Sequence, residues 1–346
     1  TLVGAYYNPA GLSFIDQARK TESSSIYQVQ NLNLKRLSGG LDFTLNIQSN
    51  TPTFIGFFQQ FGGFNVALSM IVPKSDTYDQ TMQQTPNDKS TLDGKHSIYL
   101  FGPSVSLFVS DQLTFGASLF YSNEHKKEIS NTTEYTSNTF LESESTYTTL
   151  HMTEILAIVG MQWMPNQAMA FGIRAQYPLG LNGKESQIKT DIPNVGNATY
   201  VSDSWNIKSD GYQTHYPSIT FGGGYFVSSA TLLSADVQYF PKYTHNLYPR
   251  ESVVQLSLGV EHYYNPMIPL RFGFFTNPSF ESANTGTMVN IYGLTASVGY
   301  EFGSNALNAG IEYQFGTGNY YDTNGTKTHK LNYGGLSFVV GGSSQI

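Results

Sequence analysis

The stretch Gln112–Asn123 reads Gln-Leu-Thr-Phe-Gly-Ala-Ser-Leu-Phe-Tyr-Ser-Asn, and its pattern decides the fold class. Apolar residues at every second position alternate with small polar ones: Leu113, Phe115, Ala117, Leu119 and Tyr121 against Thr114, Gly116, Ser118 and Ser122. A period of two is that of a β-strand with one apolar face and one polar face. The alternation recurs at Ala168–Tyr177 and at Leu232–Phe240, so we predict a chain built from such strands.

The composition places these strands in a membrane. Charged residues make up 12% of the chain, against about 25% in typical soluble domains. The longest apolar stretch, Leu156–Met164, is much shorter than the roughly 20 residues that a membrane-spanning helix needs. In a barrel only every second residue faces lipid, which fits the mean hydropathy of -0.25. We therefore predict an all-β chain that forms a transmembrane antiparallel β-barrel in the outer membrane of a Gram-negative bacterium.

The connections between the strands are of two alternating kinds. Short turns are predicted at 61–63, 110–112, 165–167, 228–230, 264–267 and 303–305, and long polar stretches at 74–95, 124–147 and 178–212. This alternation indicates about fourteen strands with short periplasmic turns, long extracellular loops and both termini on the short-turn side. We interpret Leu41–Gln48 as an extension of the first outer loop.

Aromatic residues mark the strand ends that lead into the long polar stretches. Tyr121, Tyr177, Tyr239 and Phe315 each stand on the apolar face just before such a stretch. Amphipathic rings favour the membrane–water interface, so these four residues predict the outer aromatic girdle.

Several functional classes receive no support from the sequence. The net charge of -7 argues against nucleic-acid binding, and the chain has no cysteine. The seven histidines lack metal-ligand spacing, and Gly183-Lys184-Glu185-Ser186 lacks the upstream glycine of a phosphate-binding loop. We predict no enzymatic activity, no cofactor and no metal.

Near the start, Tyr7-Asn8-Pro9-Ala10-Gly11-Leu12 resembles the signature that closes the N-terminal plug of FadL-type outer-membrane transporters of long-chain fatty acids and other hydrophobic compounds. The segments Thr53–Phe57 and Val66–Pro73 look like the second and third strands of that family, and Leu256–Phe274 resembles one of its hairpins. The sequence contains little of the hatch that precedes the signature in the family, so we expect a divergent member.

The resemblance implies a residual plug over residues 1–23, with the motif Asn8, Pro9, Ala10, Gly11 and Leu12, and a barrel over residues 24–346. It also implies a lateral opening at a kink in the third strand, for which Gly62, Gly63 and Phe64 are the candidates; an ordinary turn there is an equally good interpretation.

The function that the resemblance implies is passive transport of small hydrophobic molecules, similar to long-chain fatty acids, with lateral release through the barrel wall. The alternative is a structural or interaction barrel that binds a partner protein or organises an envelope assembly. Expected partners are outer-membrane lipid, lipopolysaccharide and a hydrophobic ligand or detergent. The oligomeric state is open.

The polar face of the predicted strands carries both signs of charge. Under this register Arg174, Asp236, Glu261, Arg271 and Glu312 point into the lumen. A buried charge is costly unless it is paired or hydrated, so a structural ion-pair network is one interpretation. The other is that Arg174 or Arg271 binds the carboxylate of a ligand. Gly222, Gly223 and Gly224 predict a bulge or the close approach of a plug.

Overall fold

The computed structural model describes residues 2–15, 19–36, 43–85, 88–136, 139–193, 199–207, 214–243, 250–280, 288–303, 305–321 and 328–345. The chain begins with a short plug that contains one helical turn, α1 (Gly4–Tyr7), and a 3₁₀ segment, Pro9–Phe14. None of the helices in these described ranges is long and apolar enough to cross a membrane.

Fifteen strands are described after the plug. They are β1 (Arg19–Arg36), β2 (Phe43–Phe61), β3 (Phe64–Thr85), β4 (Asp88–Ser110), β5 (Leu113–Thr136), β6 (Thr139–Asn166), β7 (Met169–Pro193), β8 (Thr199–Ile207), β9 (Ser218–Ser228), β10 (Thr231–Phe240), β11 (Val253–Asn265), β12 (Ile268–Asn277), β13 (Met288–Phe302), β14 (Asn305–Tyr321) and β15 (Thr328–Gln345).

Fourteen of the strands close into an antiparallel barrel. Each strand pairs with its neighbour in sequence, except that β7 pairs with β9, and β15 pairs back onto β1. In the described part of the chain, β8 pairs only with the upper end of β7 and lies outside the closed wall. Closure leaves the spanning wall without a free edge, as a barrel in lipid requires. The predicted barrel of about fourteen strands is confirmed.

The long connections differ from the prediction. The segments 74–95 and 124–147, predicted as loops, are instead mostly continuations of β3–β4 and β5–β6 as hairpins, and β6 alone has 28 residues. About ten residues suffice to cross the hydrocarbon, so these hairpins extend well beyond it. Outside the membrane both faces of a strand meet water. The apolar alternation stops there while the hydrogen-bond ladder continues, and the sequence therefore resembled a loop.

The outer face of the barrel carries an apolar belt. Every spanning strand whose side chains are described exposes large apolar residues outward: Phe57, Leu68, Phe101, Leu119, Val159, Phe171, Phe221, Val237, Leu258, Phe272, Leu294, Ile311 and Phe338. Tyr121, Tyr177, Tyr239 and Phe315 are all exposed on this face at its upper edge. The faces therefore agree with the alternation in the sequence.

The barrel begins earlier than the predicted boundary at residue 23. Residues Arg19–Ser23 already pair with Ile55–Gln59 of β2, and the described plug occupies residues 2–15.

Candidate functional site

The plug binds inside the barrel on an apolar patch of the lumen wall. Leu2, Ala5 and Leu12 are buried against inward-facing residues of β2–β6: Phe54, Phe58, Ala67, Ile71, Leu100, Phe120, Leu156 and Ile158. Each of these strands thus places one or two apolar residues on its inner face at the level of the plug. Burial of apolar area, at about 25 cal/mol per Å², provides the main attraction between plug and wall.

Hydrogen bonds fix the position of the motif on this patch. The side chain of Asn8 donates to the carbonyl of Met161 (3.1 Å) and accepts from the Ala10 amide (3.2 Å), which caps the 3₁₀ segment. The Thr114 hydroxyl donates to the Ala10 carbonyl (3.1 Å), and the Ser118 hydroxyl to the Ala5 carbonyl (2.6 Å). The motif residues therefore hold the plug on β5 and β6.

Two facing glycines make room for the motif. Gly116 on β5 pairs directly with Gly160 on β6. A Cβ at Gly116 would lie 2.3 Å from the Ala10 nitrogen, and one at Gly160 would lie 2.0 Å from Asn8 Oδ1. Because the backbone atoms at Gly116 cannot move aside, that position requires glycine, whereas a Cβ at Gly160 would displace the Asn8 side chain from its hydrogen bonds.

Above the plug lies a lumen cavity of about 1070 Å³. Val3, Tyr6 and Tyr7 of the plug form part of its lining, and Arg174, Gln176 and Asp236 contribute polar groups from the wall. Its lining also includes Phe54, Ile71, Val72 and Pro73 of β2 and β3.

The cavity reaches the wall at a point where the ladder between β2 and β3 is interrupted. Ser49 pairs with Asp76 and Phe54 with Ile71, but residues 50–53 and 72–75 are not paired with each other. The register on both sides of the interruption places Pro52 opposite Pro73. Proline has no backbone N–H, so neither residue can donate a ladder hydrogen bond at this point.

The same place is irregular toward both outer neighbours. The β3–β4 register shifts by one between Ile71 and Lys74, so Val72 and Pro73 form a bulge, and the β1–β2 register shifts at Ser24/Ser25. Gly62, Gly63 and Phe64, the candidates for the kink, lie elsewhere. Gly62 has φ 57° in the β2–β3 turn, and Phe64 pairs regularly with Phe61. A kink at 62–64 is therefore wrong: these residues form a turn, and the interruption follows the two prolines.

The five predicted lumen charges do not form one network. Arg271 pairs with Glu261, whose carboxylate lies 2.5 Å from its Nε, and donates to Asn308 (2.8 Å), while Glu301 lies 3.7 Å away. Glu312 accepts from Gln314 on the same strand. Sequence reasoning missed Glu301 and Asn308, which only the barrel register brings next to Arg271.

Arg174 is in a different situation. Its side chain is 9% exposed, donates to the Tyr6 carbonyl (3.2 Å) and to Gln176, and lies over the Tyr6 ring at 5.4 Å. Among the described residues it has no carboxylate partner. Asp236 lines the same cavity, and its Oδ1 lies where a Cβ at Gly222 would be, at 2.2 Å. Gly222 therefore makes room for this carboxylate.

The segment Thr214–Tyr216, which we call the mouth segment, narrows the upper end of the lumen. The Thr214 amide donates to Glu154 (3.1 Å) on β6, and its hydroxyl donates to Glu124 (2.6 Å) on β5. Gln176 on β7 donates to the Tyr216 carbonyl (2.8 Å), and the Arg250 guanidinium lies 3.7 Å from the centre of the Tyr216 ring. The segment thus lies against the inner side of β5, β6 and β7, and Arg250 of the β10–β11 connection packs on its tyrosine ring.

Two buried carboxylates hold the mouth segment, each with a histidine. Glu124, 4% exposed, binds His96 at 2.7 Å, and Glu154, 1% exposed, binds His215. Burial raises the pKa of Glu124, but hydrogen bonds from His96 and Thr214 outweigh it and hold the pKa below its ordinary value. We did not identify these residues from the sequence. The signal was Glu154, a lone acid just before the apolar run of β6.

Comparison with known structures identifies the architecture. Over 99% of its length the chain superposes on a FadL homologue of Pseudomonas aeruginosa (TM-score 0.69, 12% identity, 93% of that chain). It superposes equally on the toluene transporter TodX of Pseudomonas putida (TM-score 0.69, 12% identity, 94% of that chain). The chain has the FadL-type barrel fold.

A third structure agrees with this assignment. The toluene transporter TbuX of Ralstonia pickettii matches the FadL-type fold of this chain with a TM-score of 0.64 and 11% identity over 99% of the chain and 92% of TbuX. No protein-family model and no curated protein sequence matches the chain. At this level of identity the likeness concerns the fold.

Proposed function

We propose that this FadL-type barrel carries small hydrophobic compounds passively across the outer membrane and releases them sideways through its wall. The observation that carries the proposal is the contact between the lumen cavity and the β2–β3 interruption. The transfer of such compounds from water to lipid lowers their free energy, so the protein needs only to provide a route.

The surroundings of the interruption suit an apolar cargo. Phe54, Ile71 and Val72 line the cavity there and are nearly fully buried. The outer wall beside them exposes Phe57, Leu68 and Met70 to the hydrocarbon. A compound that passes between Pro52 and Pro73 would therefore leave one apolar surface for another. The three superposed structures include two toluene transporters, which supports a hydrophobic cargo.

The cargo class that we propose includes compounds with a carboxylate, such as fatty acids. Arg174 carries the positive charge on the cavity lining that has no acidic partner among the described residues, whereas Arg271 is paired with Glu261. A carboxylate in the cavity would give Arg174 a charge-assisted hydrogen bond, worth about 1.5–3 kcal/mol.

The double substitution Pro52→Thr and Pro73→Thr tests lateral release. Threonine restores an N–H on both strands and favours extended backbone, so the ladder can close across the interruption. In Gram-negative cells without their own hydrocarbon transporter, we expect the double variant to lower uptake of labelled toluene nearly to the level of cells without the barrel.

Pro103→Thr on β4 is the matched control, because it makes the same change in an adjacent strand that does not border the cavity opening. It is expected to leave toluene uptake unchanged at equal amounts of folded barrel. Equal uptake by the double variant and the unmodified protein would refute release through this wall. A complete absence of uptake by the unmodified barrel would favour a structural or interaction barrel instead.

A further inference from the structure

A group of basic side chains stands on the outer wall just above the aromatic girdle. Its members are Lys95 on β4, His125 and Lys127 on β5, His151 on β6 and Lys184 on β7, and we call them the basic face. They form two rows across the sheet, since Lys95 pairs with Lys127, and His125 pairs with His151, which pairs with Lys184. Positions 125 and 127 lie an even number of residues from Tyr121 and share its outward side.

The basic face lacks the ion pairs that two inward-facing cations of β4 and β5 have. On the inner side of the same strands, His96 is paired with Glu124 (2.7 Å), and Lys126 with Glu128 (2.8 Å). Lys95, Lys127 and Lys184 have no ion pair within the described residues. The described acid nearest in the register is Asp93, which lies one row higher opposite Ile129.

This arrangement is costly without an anion. Like charges directly opposite each other on paired strands destabilise a sheet, and Lys95 and Lys127 are such a pair. The same positive charges act on His125: its pKa is lowered first by partial burial and then by Lys127, His151 and Lys95. In a chain with net charge -7, three lysines without an ion pair on one patch indicate an anion-binding surface.

The height of the basic face limits what that anion is. Four and six residues separate its rows from Tyr121, which is about 13 and 20 Å along a strand at 3.3 Å per residue. Strand tilt reduces this height, and lysine side chains reach back toward the interface. The ammonium groups therefore lie in the headgroup layer, directly above the apolar surface of Phe101, Leu119 and Val159.

We propose that the basic face binds the phosphate groups of a glycolipid in the outer leaflet, whose acyl chains lie on the apolar belt below. The proposal rests on the membrane placement given under the proposed function, but not on transport. Thr149 and Ser186 add hydroxyl groups in the Lys127 row, 2.6 Å apart, which can hydrogen-bond the sugar or phosphate oxygens.

Titration of the purified barrel in detergent with fluorescent rough-type lipopolysaccharide tests the proposal. Each lysine near an anionic headgroup layer contributes a roughly fivefold gain in affinity, so the variant Lys95→Ser, Lys127→Ser, Lys184→Ser is expected to bind on the order of 100-fold more weakly. Lipopolysaccharide stripped of its lipid phosphates is expected to bind the unmodified barrel as weakly as phosphorylated lipopolysaccharide binds the triple variant.

The matched control is Lys242→Ser with Lys330→Ser, which removes two exposed lysines that lie outside the basic face, one after β10 and one on β15. It is expected to bind like the unmodified barrel. If the triple variant folds poorly, the pair Lys95→Ser and Lys127→Ser is compared with this control, two charges against two. Unchanged binding by the charge-depleted variants, or equal binding of the dephosphorylated glycolipid, would overturn the proposal.

Two further measurements distinguish a glycolipid site from a general anion site, and loss of glycolipid binding from loss of transport. Competition by millimolar inorganic phosphate would show a general anion site and overturn the assignment to a glycolipid; no competition is expected. Toluene uptake by the triple variant is expected to be normal, because the basic face and the cavity lie on opposite sides of the wall. Failure of glycolipid binding and failure of transport are therefore distinguishable.

Discussion

Single atoms decide whether the plug fits inside this barrel. Gly116 and Gly160 form a flat place on the lumen wall, and the backbone of Pro9 and Ala10 lies directly on it. The hydrogen bond from Thr114 to the Ala10 carbonyl, at 3.1 Å, requires this closeness. The motif and the glycines are thus two halves of one contact, separated by more than a hundred residues in the sequence.

Gly116→Ala is expected to loosen the plug without opening the barrel. Its Cβ would meet backbone atoms of Pro9 and Ala10 at 2.3 Å, which cannot move aside as a side chain can. Forced overpacking costs about 1–3 kcal/mol, so hydrogen exchange of amides in residues 2–15 should become on the order of 5- to 100-fold faster.

Gly334→Ala on β15 is the control, since a Cβ there meets no atom within 4 Å. It should leave exchange in the plug unchanged. If Gly116→Ala also leaves the plug amides as protected as before, the plug does not depend on this contact.

At the level of strands, the sequence predicted the spanning wall well and its irregularities poorly. Alternation over about ten residues is a strong local signal, because lipid enforces it on each strand separately. Pro52 and Pro73 were both visible in the sequence, but their effect depends on facing each other, which only the register reveals. Gly62 and Gly63 were instead predicted as the kink, because a glycine is visible in the sequence without knowledge of the residue that it pairs with.

The mouth segment shows the same dependence on pairing. Glu124, Glu154, His96 and His215 come from four separate parts of the chain, and no local spacing connects them. The barrel brings β4, β5 and β6 side by side, so that their inward-facing acids meet the segment that leads into β9.

We predict that the mouth segment loosens in acid. The pKa of Glu124 lies below its ordinary value in the folded protein, so its ionised form is the one that folding stabilises. This contribution is fully present above the ordinary pKa of about 4.5 and is lost as the pH falls through the lower, folded value. Toluene uptake by cells shifted briefly from pH 7 to pH 3.5 should therefore rise if the segment restricts entry.

Glu124→Gln keeps the size and the hydrogen-bonding reach of the side chain but cannot ionise. The variant is expected to show raised uptake already at pH 7 and a smaller response to acid than the unmodified barrel. A response to acid as large as that of the unmodified barrel would show that Glu124 does not control the mouth.

On the scale of the whole molecule, the plug fills one side of the lumen and the cavity occupies the other. The plug lies on the inner faces of β2–β6, whereas the cavity extends toward β9–β11 and includes Asp236, Gln238 and Ser257. Arg174 on β7 stands between the two sides and binds the plug through the Tyr6 carbonyl. On the proposed route from the mouth segment to the interruption, its charge would therefore face the cargo.

This position predicts which cargo the whole barrel distinguishes. Arg174→Gln should weaken uptake of a labelled long-chain fatty acid by on the order of 10- to 100-fold, the value of a lost charged hydrogen bond, while toluene uptake changes little. Arg174→Lys keeps the charge and should retain most of the fatty-acid uptake. An equal loss for both compounds in Arg174→Gln would mean that the arginine only supports the plug. If Arg174→Gln leaves fatty-acid uptake unaffected while the plug stays protected from hydrogen exchange, the barrel does not bind the carboxylate of its cargo. Apolar surface alone then determines which compounds it carries.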